Sequence, residues 1–76
     1  MLFHVQIRRD GKWMAPKEGD ETEVANLIED WKSKFTDLRR TRYGFNKTIY
    51  FLEDMDVNGL ARFNEGGETL NITRMR

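Results

Sequence analysis

The chain has 76 residues, 38% of them hydrophobic and 34% charged, with one proline, six glycines and no cysteine. That length supports a single domain with a small core, and the composition lies inside the globular range and outside the disordered one. Thirteen basic and thirteen acidic side chains cancel, which excludes a global field drawing the chain to nucleic acid or an anionic membrane, while the missing cysteines exclude disulfides and thiolate metal sites.

At the start, Phe3, Val5 and Ile7 alternate with His4, Gln6 and Arg8, the period of a strand with one face in the core. The same stretch lacks the small-residue cleavage site of a signal peptide, and no apolar run approaches the roughly 18 residues of a membrane span; a cytoplasmic location is expected. Asp10-Gly11 supplies the positive φ angles of a tight hairpin turn. Lys12 to Ala15 then reads as the returning strand, stopped by Pro16. Trp13 on that short edge strand is either buried in the core or presented to a partner.

From Val24 the apolar residues fall at Val24, Leu27, Ile28, Trp31, Phe35 and Leu38, spacings of three and four that line one side of a helix. Asp20 followed by Glu23 makes a capping box, and the acids Glu21 and Glu23 suit the positive end of the helix dipole. Lys34, Arg39 and Arg40 crowd the other end and Gly44 offers a stop, so the helix is expected over Glu21 to Arg40. Thr48 to Leu52, rich in β-branched and aromatic residues, reads as a strand. On it Ile49 and Phe51 would face one way and Tyr50 and Leu52 the other. Asn58-Gly59 is a hairpin signal, Leu60 to Phe63 the next strand, Glu65-Gly66-Gly67 a second turn, and Thr69 to Met75 a closing strand.

The expected fold is therefore α+β: a single antiparallel β-sheet of about five strands, in the order ββαβββ, with one amphipathic helix packed on one face.

Few residues suggest chemistry. Asp54, Asp56, Asn58, Gly59 and Glu65 have the spacing of an EF-hand calcium loop. The strand expected before Asp54 and the Gly66-Gly67 turn after Glu65 argue against it, as do small Ala61 and cationic Arg62 at inner positions. No metal site is assigned. Phosphate-cradling glycine loops are missing, since Gly66-Gly67 is flanked by acids. The one histidine, His4, lies on a strand, and the one serine, Ser33, on the helix, which gives no nucleophile and base pair. No catalytic or cofactor-binding residue is assigned, and the chain is not expected to be an enzyme.

Charge is segregated along the chain. Glu18 to Asp30 holds six carboxylates and no base, and Lys32 to Lys47 holds six bases against Asp37 alone. Within the basic stretch, Arg39, Arg40, Arg42, Tyr43, Phe45 and Lys47 mix cations with aromatic rings, the types enriched at interface hot spots and in nucleic-acid grips. A plainer reading has the arginines answering the helix dipole and Tyr43 and Phe45 covering the core edge. These residues and Trp13 form the candidate partner-binding set. A protein partner is expected, with nucleic acid as the alternative, no membrane contact, and a homodimer as a further option. In size and general plan the chain resembles the small proteins that bacteriophages and mobile elements encode to disable host or defence machinery, anti-CRISPR proteins among them. That resemblance implies a stoichiometric inhibitor or adaptor and carries over no functional residue.

Overall fold

Two glycine-containing turns set the strand pairing. The computed structural model describes residues 1–36 and 41–76. In it Asp10 and Gly11 have φ of 53° and 76°, and Gly66 and Gly67 have 54° and 82°. Two successive left-handed residues match the right-handed twist of flanking strands, which is why each pair closes a two-residue hairpin.

The first hairpin joins β1 (Phe3–Arg9) to β2 (Lys12–Trp13), and the returning strand resumes as β3 (Lys17–Gly19). Pro16 thus interrupts the strand without ending it. Arg8 pairs with Trp13, but Val5 pairs with Lys17, so three residues of the returning strand, Met14 to Pro16, stand against two of β1. This is a β-bulge, and it accommodates the proline that a regular ladder would reject.

Helix α1 (Glu21–Ser33) follows. Its capping box forms: the Glu23 amide donates to Asp20 Oδ1 at 2.8 Å, and the Asp20 amide to Glu23 Oε1 at 3.2 Å. The helix ends earlier than the apolar spacing predicts. The Lys34 and Phe35 amides donate to the carbonyls of Trp31 and Lys32, three residues back, and Ser33 Oγ donates to the Asp30 carbonyl at 2.7 Å. The last turn tightens and stops. Phe35 still packs edge-on against Trp31, with ring centroids 5.3 Å apart, so its place in the apolar series records burial and not helix. The remainder of the expected helix, including Leu38, Arg39 and Arg40, lies outside the described residues.

The largest correction concerns the segment expected as the third strand. Arg42–Glu53 is a second helix, α2. Thr41 caps it, with Oγ1 accepting from the Gly44 amide at 2.9 Å, so Gly44 sits in the first turn of a helix and does not stop one. Phe45, Thr48, Ile49 and Leu52 form its inward stripe, spaced i, i+3, i+4, i+7. Burial along that stripe overrides the β propensity of the individual residues. Tyr50 and Leu52, which a strand would place on one face, point apart: Leu52 is fully buried and Tyr50 is exposed.

Asn58-Gly59 is accordingly a helix-to-strand turn and not a hairpin, with Asn58 left-handed at φ 68°. Strands β4 (Leu60–Glu65) and β5 (Glu68–Arg74) close the chain as a hairpin. The fold is α+β. Its antiparallel sheet runs β2-β1-β5-β4, with β3 also paired to β1, and both helices lie on one side. The core is Phe3 and Val5 from β1, Leu70 and Ile72 from β5, Val24, Ala25, Ile28 and Trp31 from α1, and Leu52 from α2. Among the described residues no helix is long and apolar enough to cross a membrane.

Candidate functional site

Strand alternation sorts the sheet into two faces. Phe3, Val5 and Ile7 turn toward the helices, so His4, Gln6 and Arg8 face outward, and their register partners Glu18, Asn71, Thr73, Thr69 and Trp13 share that outer face. Trp13 is 49% exposed there, which decides between its two expected fates: the short edge strand presents the indole. His4 Nδ1 lies 3.8 Å from Glu18 Oε1, while Ser33 ends α1 on the opposite side, so the two are not brought together.

On the helix side, a polar joint fastens α1 to the sheet. Glu68 continues the inward-facing series of Leu70 and Ile72, which places a carboxylate at the border of the core. It accepts from Trp31 Nε1 at 3.0 Å through one oxygen and from Arg9 Nε at 2.9 Å through the other. The hydrogen bond from Arg9 lowers the Glu68 pKa below its ordinary 4.5, partial burial opposes this, and the Trp31 bond and the charges of Arg9 and Lys34 add to the lowering. Because the folded-state pKa is depressed, this carboxylate contributes stability that is present above 4.5 and is lost as pH falls through the folded value. Glu68→Gln should therefore give a shallower loss of stability on acidification than wild type, read from denaturant midpoints across the acid range. Parallel acid limbs in the two proteins would show that the pairing contributes nothing.

Beside this joint, a cleft of about 570 Å³ opens between α1 and the outer strand. Val5, Ile7, Met14 and Leu27 contribute apolar walls to it, and Arg9, Lys17, Lys34, Glu23 and Asp30 contribute charged ones. Such a lining can hold an amphipathic segment.

The EF-hand spacing does not close into a loop. Asp54 caps α2, so a helix does precede the acids, contrary to the strand expected there. Leu60–Glu65 is extended along β5, however, and carries Glu65 the full length of β4 away from Asp54 and Asp56.

The basic and aromatic cluster divides between inside and outside. Phe45 is half-buried against the core, whereas Arg42, Tyr43 and Lys47 are exposed. Tyr43 is 76% exposed and Tyr50, two helix turns further on, is 68% exposed. Tyr43, Lys47 and Tyr50 fall at i, i+4 and i+7, a single outward ridge opposite the buried stripe. Arg42 adds a cation in a first turn that holds no acid, at the positive end of the dipole where cations are not stabilised. That position contradicts the dipole explanation as far as Arg42 is concerned. Arg39 and Arg40 lie outside the described residues, and Trp13 lies across the sheet from this ridge.

Sequence reasoning missed two things here. Tyr50 was obscured by the strand assignment, although extending the window back to Phe45 exposes the helical period. The Arg9–Glu68 pair spans 59 positions and has no local signal, yet an acid in step with Leu70 and Ile72 marks a buried-side carboxylate that needs a donor. Compared with protein-family models, with curated proteins and with solved structures, the chain matches none.

Proposed function

We propose that this chain is a small non-catalytic protein-binding module, acting as a stoichiometric inhibitor or adaptor of a host or defence complex, and that it docks through the outer ridge of α2. The observation that carries the reading is the exposure of Tyr43 and Tyr50 on either side of Lys47. Two rings held out from a short rigid helix bury little of their own surface in the fold, and they are the residue type that anchors protein interfaces. Arg42 and the helix N-terminus favour a partner surface rich in carboxylates.

Tyr43→Ala combined with Lys47→Glu should leave the circular dichroism spectrum and melting temperature near wild type and weaken partner binding by at least about tenfold. Capture of the same partner by wild type and variant with equal affinity would refute the surface assignment. The cations Arg42 and Lys47 beside Tyr43 also suit phosphate contact with base stacking, so nucleic acid is the second reading. It requires anisotropy binding to mixed-sequence DNA or RNA at about 50 mM salt that collapses as salt rises.

A further inference from the structure

The two edges of the sheet differ in kind. On one side β2 and β3 are short, broken by the bulge at Met14 to Pro16, and carry Lys12 and Lys17; proline, bulges and lysine are the devices that stop an edge from recruiting another strand. On the other side β4 is six residues long with an unbroken register from Leu60–Thr73 to Glu65–Glu68. It carries no proline and no bulge. The Arg74 amide donates to the Gly59 carbonyl at 3.1 Å, so by alternation Ala61, Phe63 and Glu65 direct their backbone groups to β5, and Leu60, Arg62 and Asn64 direct theirs outward. The side chains long enough to screen this edge are folded back over the sheet: Arg62 Nε donates to Asn71 Oδ1 at 3.0 Å, and Asn64 Oδ1 accepts from Thr69 Oγ1 at 2.9 Å.

We infer that β4 is a dimerisation edge, pairing antiparallel with β4 of a second copy of this chain about a two-fold axis at Phe63. Charge discriminates between the registers that keep most of β4 paired. A two-fold at Arg62 would set Arg62 against itself, and like charges directly opposite are destabilising. With the axis at Phe63, Arg62 and Asn64 of one copy exchange backbone hydrogen bonds with Asn64 and Arg62 of the other. The Phe63 rings meet on the helix side, where Phe51 already packs edge-on at 5.7 Å and is 44% exposed. Glu65 stands opposite Glu68 within its own hairpin, and among the described residues it has no cation. Lys32 sits 4.9 Å above the Phe63 ring, within diagonal reach of Glu65 of the second copy. The complementary pair is thus split between the two chains, as a self-recognising edge requires.

Light scattering on the purified chain should give twice the monomer mass, falling on dilution, and the amides of Arg62 and Asn64 should exchange slowly only where the dimer is populated. Asn64→Pro removes an outward donor without touching the β5 ladder and should give a folded monomer. Glu65→Lys and Lys32→Glu should each weaken self-association by about tenfold, and the double charge reversal should restore it. The charge pair keeps the inference testable if the proline variant fails to fold. A wild-type chain that stays monomeric into the millimolar range overturns the inference, whether or not β4 takes a foreign strand. A dimer insensitive to Asn64→Pro, or two single reversals without rescue, overturns it equally.

Discussion

Leu52→Ala should destabilise the protein by about 3 kcal/mol, whereas Tyr50→Ala should change stability by no more than about 0.5 kcal/mol. Leu52 is fully buried between α2 and the sheet, and its neighbour two residues back is largely solvated. Truncating Leu52 removes several buried carbons and leaves a hole that the rest of the core cannot fill without moving the helices. For a domain of this size that loss corresponds to a drop of roughly 15 °C in melting temperature. The contrast is diagnostic of the helix. On a strand the two residues would share a face and respond alike, whereas on a helix they stand about 160° apart. Similar losses from the two substitutions, measured by urea unfolding, would contradict the assignment of Arg42–Glu53 as helical.

The second large effect is expected at the β4–β5 turn. Gly66→Ala should cost roughly 2–4 kcal/mol and Gly67→Ala about 1 kcal/mol. Both glycines are left-handed, at φ 54° and 82°, so an added Cβ strains the backbone at either position. Only at Gly66 is the space occupied: a Cβ there would collide with Cδ1 and Cε1 of the Phe35 ring, whereas nothing lies within 4 Å of the corresponding point on Gly67. Swinging the ring aside would break its edge-on contact with Trp31. Measured in a Phe35→Ala background, Gly66→Ala should add only the strain of about 1 kcal/mol seen at Gly67. Equal penalties at the two glycines would mean that Phe35 does not close over the turn.

How far the sequence revealed this structure follows from the range of each interaction. The turns at Asp10-Gly11 and Gly66-Gly67, the strands beside them and the capping box of Asp20 and Glu23 are local, and each was legible from a few neighbouring residues. The bulge was half legible: Pro16 announced an interruption, but continuation into β3 depends on β1 offering a partner beyond it. For α2 the signals conflicted. Thr48, Ile49, Tyr50 and Phe51 favour a strand by type, whereas Phe45, Thr48, Ile49 and Leu52 favour a helix by spacing, and the sheet resolves the conflict because β1 and β5 already lie side by side as its centre. The candidate site was legible as a cluster of residue types but not as a surface. Which ring faces water depends on helix phase, and once the phase is known Phe45 joins the core while Tyr43 and Tyr50 form the outer ridge.

Laying both helices on one side of the sheet has an evolutionary consequence. The outer positions His4, Gln6, Arg8, Thr69, Asn71 and Thr73 contribute no side chain to the core, so a lineage can redraft them one by one while the hidden layer stays intact. The fold thus leaves one broad plane free to change in sequence, while the cost of staying folded is confined to the other.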